Sequence, residues 1–235
     1  DVIRDARYAI RQLLMTPGFT AVAIVTLALG IGATTAMFSV VNGVLLRPLP
    51  YADPGRLVRI YTDAPPNKFP FSVADYLALQ EQQTRFEQIA GYAYRAMAFS
   101  DGNVAERVKG RVVTWTYFPL LGIRPALGRP FTERDGRPGS PPVVIVSHGF
   151  WQQRLGGRAD AVGRAVRLDG ADHTLVGILP PLSSPLEHGQ EFFVPAQWET
   201  PPRKGPFFIR ALGRLRSESD RSAAAAELRA NDSSI

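Results

Sequence analysis

Charged residues are absent from Gln12 through Leu46, and from Phe19 onward the positions are predominantly apolar. This pattern predicts one long helix over residues 19–46. At about 1.5 Å per residue it would reach roughly 42 Å, against a bilayer hydrocarbon core about 30 Å thick. Its polar positions are uneven: Thr34, Thr35, Ser39 and Asn42 all fall in the second half. They are expected to mark where the helix leaves lipid. Ala28, Gly32 and Ala36 recur four apart, a stripe of small residues that lets helix backbones approach closely in a membrane. In residues 1–18, Ile3, Ala6, Ile10, Leu13 and Leu14 recur at helical spacing, with Arg4, Arg7 and Arg11 towards the other side. That is a basic amphipathic helix suited to an anionic membrane surface. Pro17-Gly18 is expected to end it and turn the chain into the bilayer.

Two other readings of Gly30-Ile31-Gly32 compete with helix packing. A phosphate loop needs a strand before the glycines and usually G-K-[ST] or a ribose-binding acid after them. No Gly-Lys pair exists in the chain. A cleaved signal peptide has a much shorter apolar region and a small-residue cleavage site, and Ala33-Thr34-Thr35-Ala36 is a poor one. Basic residues flank both ends of the run, so charge counting leaves its orientation open.

Beyond Leu46, Pro48, Pro50 and Pro54 forbid a continuing helix. The pattern of residues 47–235 is that of an α+β domain. Residues 56–61, 85–94, 106–114, 142–147 and 191–195 predict strands. Ser72 with Asp75 opens a helix expected to reach about Arg85. Residues 116–122 give a short helix ended by Gly122, and Ser147 caps another that Gly156-Gly157 close. Asp169-Gly170 is the two-residue turn of a hairpin over 164–179. Residues 207–216 alternate and predict a half-buried strand, and residues 219–230 a final helix. Loops near 135–142 and 180–190 bound a smaller inserted subdomain of about 130–200. No internal repeat is visible.

With 45% hydrophobic residues, the chain can bury a sizeable core. Its formal net charge is +6. Acidic residues alternate with the basic ones, which favours a mixed solvated surface over a nucleic-acid interface. There is no cysteine, which removes disulfides and thiolate chemistry. His148, His173 and His188 lack metal-ligand spacing. Ser147-His148 lacks a nucleophile elbow and reads as a helix cap beside an exposed ring. Trp115, Trp151 and Trp198 read as packing residues. No P-loop is present, so the chain is not expected to be an enzyme or to hold a cofactor, and a mechanical or binding role is favoured.

Several stretches together resemble one family: IRDARYAIRQLLMTPGFT (3–20), VTLALGIGATTAMFSVVNGVLLRPLPY (25–51), YFPLLGIRPALGRPFT (117–132), PVVIVSHGFWQQRLGG (142–157) and VGRAVRLDGADHTLVGILP (162–180). They are similar to permeases of MacB-like, FtsX-like ABC systems, especially the acidobacterial duplicated orphan type. The resemblance implies a cytoplasmic-face helix and a span of the inner membrane. It implies a periplasmic or extracellular core domain of porter-like βαβ form with a small α/β insert. It implies that ATP is used by a partner ABC ATPase, and that the permease is a homodimer or duplicated half with a periplasmic adaptor. The expected function is transport, as efflux or export, by mechanotransmission. The alternative is a membrane-anchored binding or structural domain with no ATPase partner. Such permeases return to the membrane for further spans, and none follows ELRANDSSI here, so the sequence reads as an N-terminal fragment.

Overall fold

A computed structural model describes residues 2–41, 51–64, 67–100, 105–181, 189–203 and 205–232. The chain divides into two compact units, Asp1–Leu49 and Pro50–Ile235.

The first unit is two helices, α1 (Val2–Met15) and α2 (Pro17–Val41). The break falls at Thr16, one residue before the expected Pro-Gly pair. Pro17 opens α2, where its missing N–H costs nothing because the first helical N–H groups have no partner. The Thr20 hydroxyl donates across the break to the Leu13 carbonyl at 2.6 Å. The stretch Pro17–Ser39 has a mean hydropathy of 2.0 and none of it is buried. Its apolar residues face outward all round, which water would penalise and lipid would not.

The second unit runs β1 (Leu57–Ile60), β2 (Thr62–Ala64), β3 (Asn67–Phe69), α3 (Val73–Gln82), β4 (Phe86–Ser100), β5 (Ala105–Val113), α4 (Tyr117–Leu121), β6 (Leu127–Gly128), β7 (Val143–Val146), α5 (His148–Arg154), β8 (Ala165–Leu168), β9 (Ala171–Ile178), β10 (Phe192–Pro195), β11 (Arg210–Leu215) and α6 (Arg221–Asp232). A mixed sheet of nine strands joins β1-β11-β4-β5-β10-β7-β9-β6, and β8 pairs with both β4 and β9. Those pairings close β4, β5, β10, β7, β9 and β8 into a ring. Among the described residues only β5–β10 and β7–β9 pair in parallel.

Three apolar clusters fill the fold. Met97, Phe99, Val108, Val146, Leu168, Leu175, Ile178 and Phe192 pack together with Phe150 of α5 on the ring strands. Tyr117, Phe118, Leu120 and Leu121 of α4 cover one face of the sheet against Tyr92, Val113, Phe193 and Leu212. Tyr76 and Leu79 of α3, with Ala224 of α6, pack on Ile60, Ile89, Ala211 and Leu215.

Local signals act as expected at the caps. Ser72 Oγ accepts from the Asp75 N–H, and Ser147 Oγ from the Phe150 N–H. Gly122 ends α4 at φ 71°, and Asp169 and Gly170 turn the β8–β9 hairpin with φ 49° and 77°. Three expectations are corrected. Helix α3 ends at Gln82 rather than Arg85, because Gln83 is extended and its Oε1 accepts from the Phe86 N–H. Strand β4 runs on to Ser100, where β8 gives its far end a partner. Strand β11 is buried along nearly its whole length rather than half-buried. It lies between β1 and β4, with Leu212 in the cluster under α4 and Ala211 and Leu215 in the cluster under α3 and α6. The hairpin β2–β3 was not foreseen.

Candidate functional site

The segment that leads into the folded domain, Tyr51–Arg56, is held by more side-chain bonds than its length requires. Tyr51 is buried in the cluster under α4. Asp53 sits at φ 43°, a left-handed conformation that aspartate tolerates. Arg214 comes from β11, between β1 and β4, and is 6% exposed. Its guanidinium donates to the Ala52 carbonyl at 2.7 Å, to the Asp53 carbonyl at 3.4 Å and to the Leu120 carbonyl at the end of α4. A buried guanidinium is costly unless its N–H groups find acceptors, and here three backbone carbonyls supply them.

Arg56 fastens the same segment from outside. It donates to Asp53 at 2.8 Å, to Glu87 of β4 at 3.0 Å, and to the carbonyls of Leu215 and Arg216 at 3.2 Å. The bond from Arg56 holds the Asp53 carboxyl below the usual carboxylate range. Arg221, the first residue of α6, donates to the Gly55 carbonyl at 3.3 Å. Glu227 of α6 accepts from the Thr84 N–H at 2.7 Å and pairs with Arg85. So the lead-in and the last helix of the domain are clasped at one end of β11. This arrangement makes no covalent chemistry possible by itself. What it does is join the backbone entering the domain to β11, inside the sheet.

Sequence reasoning missed this clasp. The alternation of Phe208–Arg216 assigns Arg210 and Arg214 to a solvent face, and nothing local reveals that α4 and the lead-in cover Arg214. A charged residue inside a strand that proves buried on both faces is the signal, and it is readable only once the topology is known.

The residues singled out in the apolar helix are placed as follows. Ala28, Gly32 and Ala36 are exposed along α2. A Cβ built on Gly30 or Gly32 meets nothing within 4 Å, so that side is open for a neighbouring helix or lipid. Thr34 donates its hydroxyl back to the Gly30 carbonyl, as Thr26 does to Val22 at 2.8 Å. A threonine satisfied within its own helix can stay in an apolar medium. Thr35 and Ser39 are exposed on the same helix. Asn42 and the remainder of the expected span to Leu46 lie outside the described residues.

The residues considered for chemistry are engaged otherwise. His148 stacks edge-on to Trp151 at 5.3 Å between centroids. Nδ1 of His173 lies 3.1 Å from the Ala171 carbonyl. His188 is outside the described residues. Asp169 accepts from the Ala98 N–H at 2.7 Å, which ties the β8–β9 turn to β4. Among the described residues no group of three or more His, Cys, Asp or Glu side chains is placed to hold a metal ion. A cleft of about 440 Å³ between α3, α6 and β1 is mostly apolar, lined by Val58, Ile60, Leu79 and Leu228. Its one carboxylate, Asp75, is hydrogen-bonded to Ser72 at 2.7 Å.

The profile of the MacB-like periplasmic core domain matches residues 20–231, from the apolar helix through α6. The chain belongs to the MacB-like periplasmic core domain family. Solved structures that share the fold of this MacB-like domain include three extracytoplasmic or permease domains. The extracellular domain of the noncanonic ABC-type transporter YknZ from Gram-positive bacteria superposes with a TM-score of 0.53 at 16% identity, over 72% of this chain and 88% of that one. The periplasmic region of MacB from Actinobacillus actinomycetemcomitans gives 0.54 at 12% identity, over 75% and 84%. A domain of a putative permease protein from Porphyromonas gingivalis gives 0.53 at 16%, over 78% and 83%. A search of curated proteins matches none to this chain. The fold and the family are therefore those of the extracytoplasmic domain of MacB-like ABC transporter permeases, here preceded by one apolar helix long enough to cross a membrane.

Proposed function

We propose that the chain acts as a permease subunit of a MacB-like ABC transport system in the cytoplasmic membrane, with its main domain on the extracytoplasmic side. A partner ATPase binds and hydrolyses ATP, and the chain itself is neither an enzyme nor a cofactor carrier. Motion driven by that ATPase reaches the domain through the apolar helix and the clasped lead-in, and the domain drives efflux or export of a substrate. The subunit pairs with a second copy or a duplicated half, through the small stripe of Ala28, Gly32 and Ala36, and engages a periplasmic adaptor.

The observation that carries this reading is the continuity of the family match from the apolar helix to α6. The clasp adds to it. A lead-in bonded by Arg214 to β11 moves with the sheet, whereas a loosely tethered domain would leave that segment free. Affinity-tagged chain, co-expressed with the ATP-binding subunit of its own system and extracted in mild detergent, should retain that subunit and its ATP hydrolysis. Carbonate-washed membranes should keep the chain. Membrane retention without an ATPase would point to the anchored binding domain instead, and release by carbonate would refute both.

A further inference from the structure

One face of the sheet carries a cluster of cations and aromatic rings that neither the clasp nor the core explains. Cross-strand partners share a face. Tyr94 of β4 stands opposite Arg111 of β5, Tyr92 opposite Arg210 of β11, and Arg59 of β1 opposite Leu212, two residues from Arg210. Helix α4 covers the neighbouring part of this face over Tyr92 and Val113. Beyond it Tyr94 remains 56% exposed, Arg210 is half-buried and Arg59 is exposed.

Arg111 is only 2% exposed. Its guanidinium lies over the ring of Tyr92 at 4.8 Å and that of Tyr94 at 5.1 Å, and donates to the Tyr117 hydroxyl at 2.6 Å. Its Nε is buried with no hydrogen-bond partner. Arg210 lies against the same Tyr94 ring at 4.7 Å. The arginines Arg59, Arg111 and Arg210 also act together on the Tyr92 phenol, partly opposing the upward shift that its burial imposes.

Among the described residues no carboxylate is ion-paired with Arg59, Arg111 or Arg210. Asp53, Glu87, Glu106, Glu133, Asp135, Asp160, Asp169 and Glu227 are each ion-paired with another arginine. A buried guanidinium normally finds a carboxylate, because desolvation of the charge is otherwise uncompensated. Ring faces offset part of that cost. What remains is a positive centre whose accessible groups, Arg210 and Arg59, flank an exposed aromatic surface.

We propose that Arg59, Arg111 and Arg210, arranged about Tyr92 and Tyr94, form a carboxylate-binding site on the open part of this sheet face. Arg210 and Arg59 receive the carboxylate, since a planar guanidinium matches its two oxygens. Arg111 strengthens the field from below, where water screens it little. The Tyr94 ring packs against the carbon frame that bears the carboxylate. The source is either an acidic segment of a partner protein or a free small carboxylate.

The test uses the full chain in non-ionic detergent and a fluorescein-labelled hexaglutamate peptide, followed by fluorescence anisotropy with glutarate as competitor. The peptide is expected to bind saturably, and the Arg59→Gln/Arg210→Gln double variant to bind it at least about tenfold more weakly, the size expected for loss of a charge-assisted pair. Arg167→Gln, which removes an exposed arginine of β8 that stands opposite Ser100, six residues along β4 from Tyr94, serves as the control and should leave binding unchanged. Thermal melting checks that both variants fold. Displacement by glutarate at millimolar concentration supports the site with a small carboxylate as its source. Binding of the peptide that glutarate leaves intact supports it with an acidic protein segment as the source. Equal losses in Arg167→Gln and the double variant would reduce the effect to the general basic charge of the chain and overturn the proposal, as would undiminished binding in the double variant.

Discussion

Arg214 holds three carbonyls at the point where backbone enters the domain, and its removal takes a charged donor from each, the buried Leu120 carbonyl among them. Arg214→Met should destabilise the domain by about 3 kcal/mol, the order expected when buried acceptors lose a charged donor. Urea unfolding followed by tryptophan fluorescence measures it. Asp135 gives a pH-dependent counterpart. Burial would raise its pKa, but hydrogen bonds from Arg129 at 2.7 Å and from the N–H and hydroxyl of Thr132 outweigh it, so the carboxyl sits below its usual range. A carboxyl with a lowered native pKa contributes stability that is present above its unfolded pKa and lost as pH falls through the native one. The wild type should therefore lose stability below about pH 4, and Asp135→Asn should be less stable at neutral pH with a shallower acid decline. Neither residue was legible in advance. Nothing local marks Arg214 as buried within the alternating strand, and the Thr132–Asp135 cap lies in a stretch with too little periodicity to announce a turn. The caps at Ser72, Ser147 and Gly122 were legible because their partners lie within four residues.

Strands and helices were readable where a pattern belongs to one segment alone. The pairings were not, because β8 closing on β4 and β10 lying between β5 and β7 join residues far apart in sequence. The parallel contact of β5 with β10 is close enough to exclude a methyl group: a Cβ on Gly110 would lie 2.4 Å from the Phe192 carbonyl oxygen. Gly110→Ala should cost about 1–3 kcal/mol by forcing the two strands apart, measurable as a lowered melting temperature. In the membrane unit the open side of α2 leads to the opposite kind of test. Gly32→Leu adds bulk where nothing lies within 4 Å in the isolated chain. It should leave domain stability unchanged and weaken self-association of the helix in a bilayer reporter assay, as expected for a small-residue packing stripe. Unchanged association would place the stripe against lipid.

The chain as a whole combines an apolar helix with the fold of MacB-like extracytoplasmic domains. Composition and the run from Gln12 to Leu46 made the first part legible, and motif resemblance the family. The proposed coupling between an ATPase on one side of the membrane and a domain on the other belongs to an assembly, which no single segment encodes. The absence of cysteine makes it accessible, because one introduced thiol is unique in the chain. Ala52→Cys places that thiol in the clasp, beside the carbonyl that Arg214 holds. In proteoliposomes containing the permease and its ATPase, with the domain facing outward, the rate of maleimide labelling at this thiol can be followed from outside while nucleotide is supplied inside. Transmission of motion through the lead-in requires the rate to change several-fold between the nucleotide-free and the ATP–vanadate-trapped states. Identical rates in the two states, with ATP hydrolysis intact, would show that the clasp does not carry the motion and that the mechanical reading is wrong.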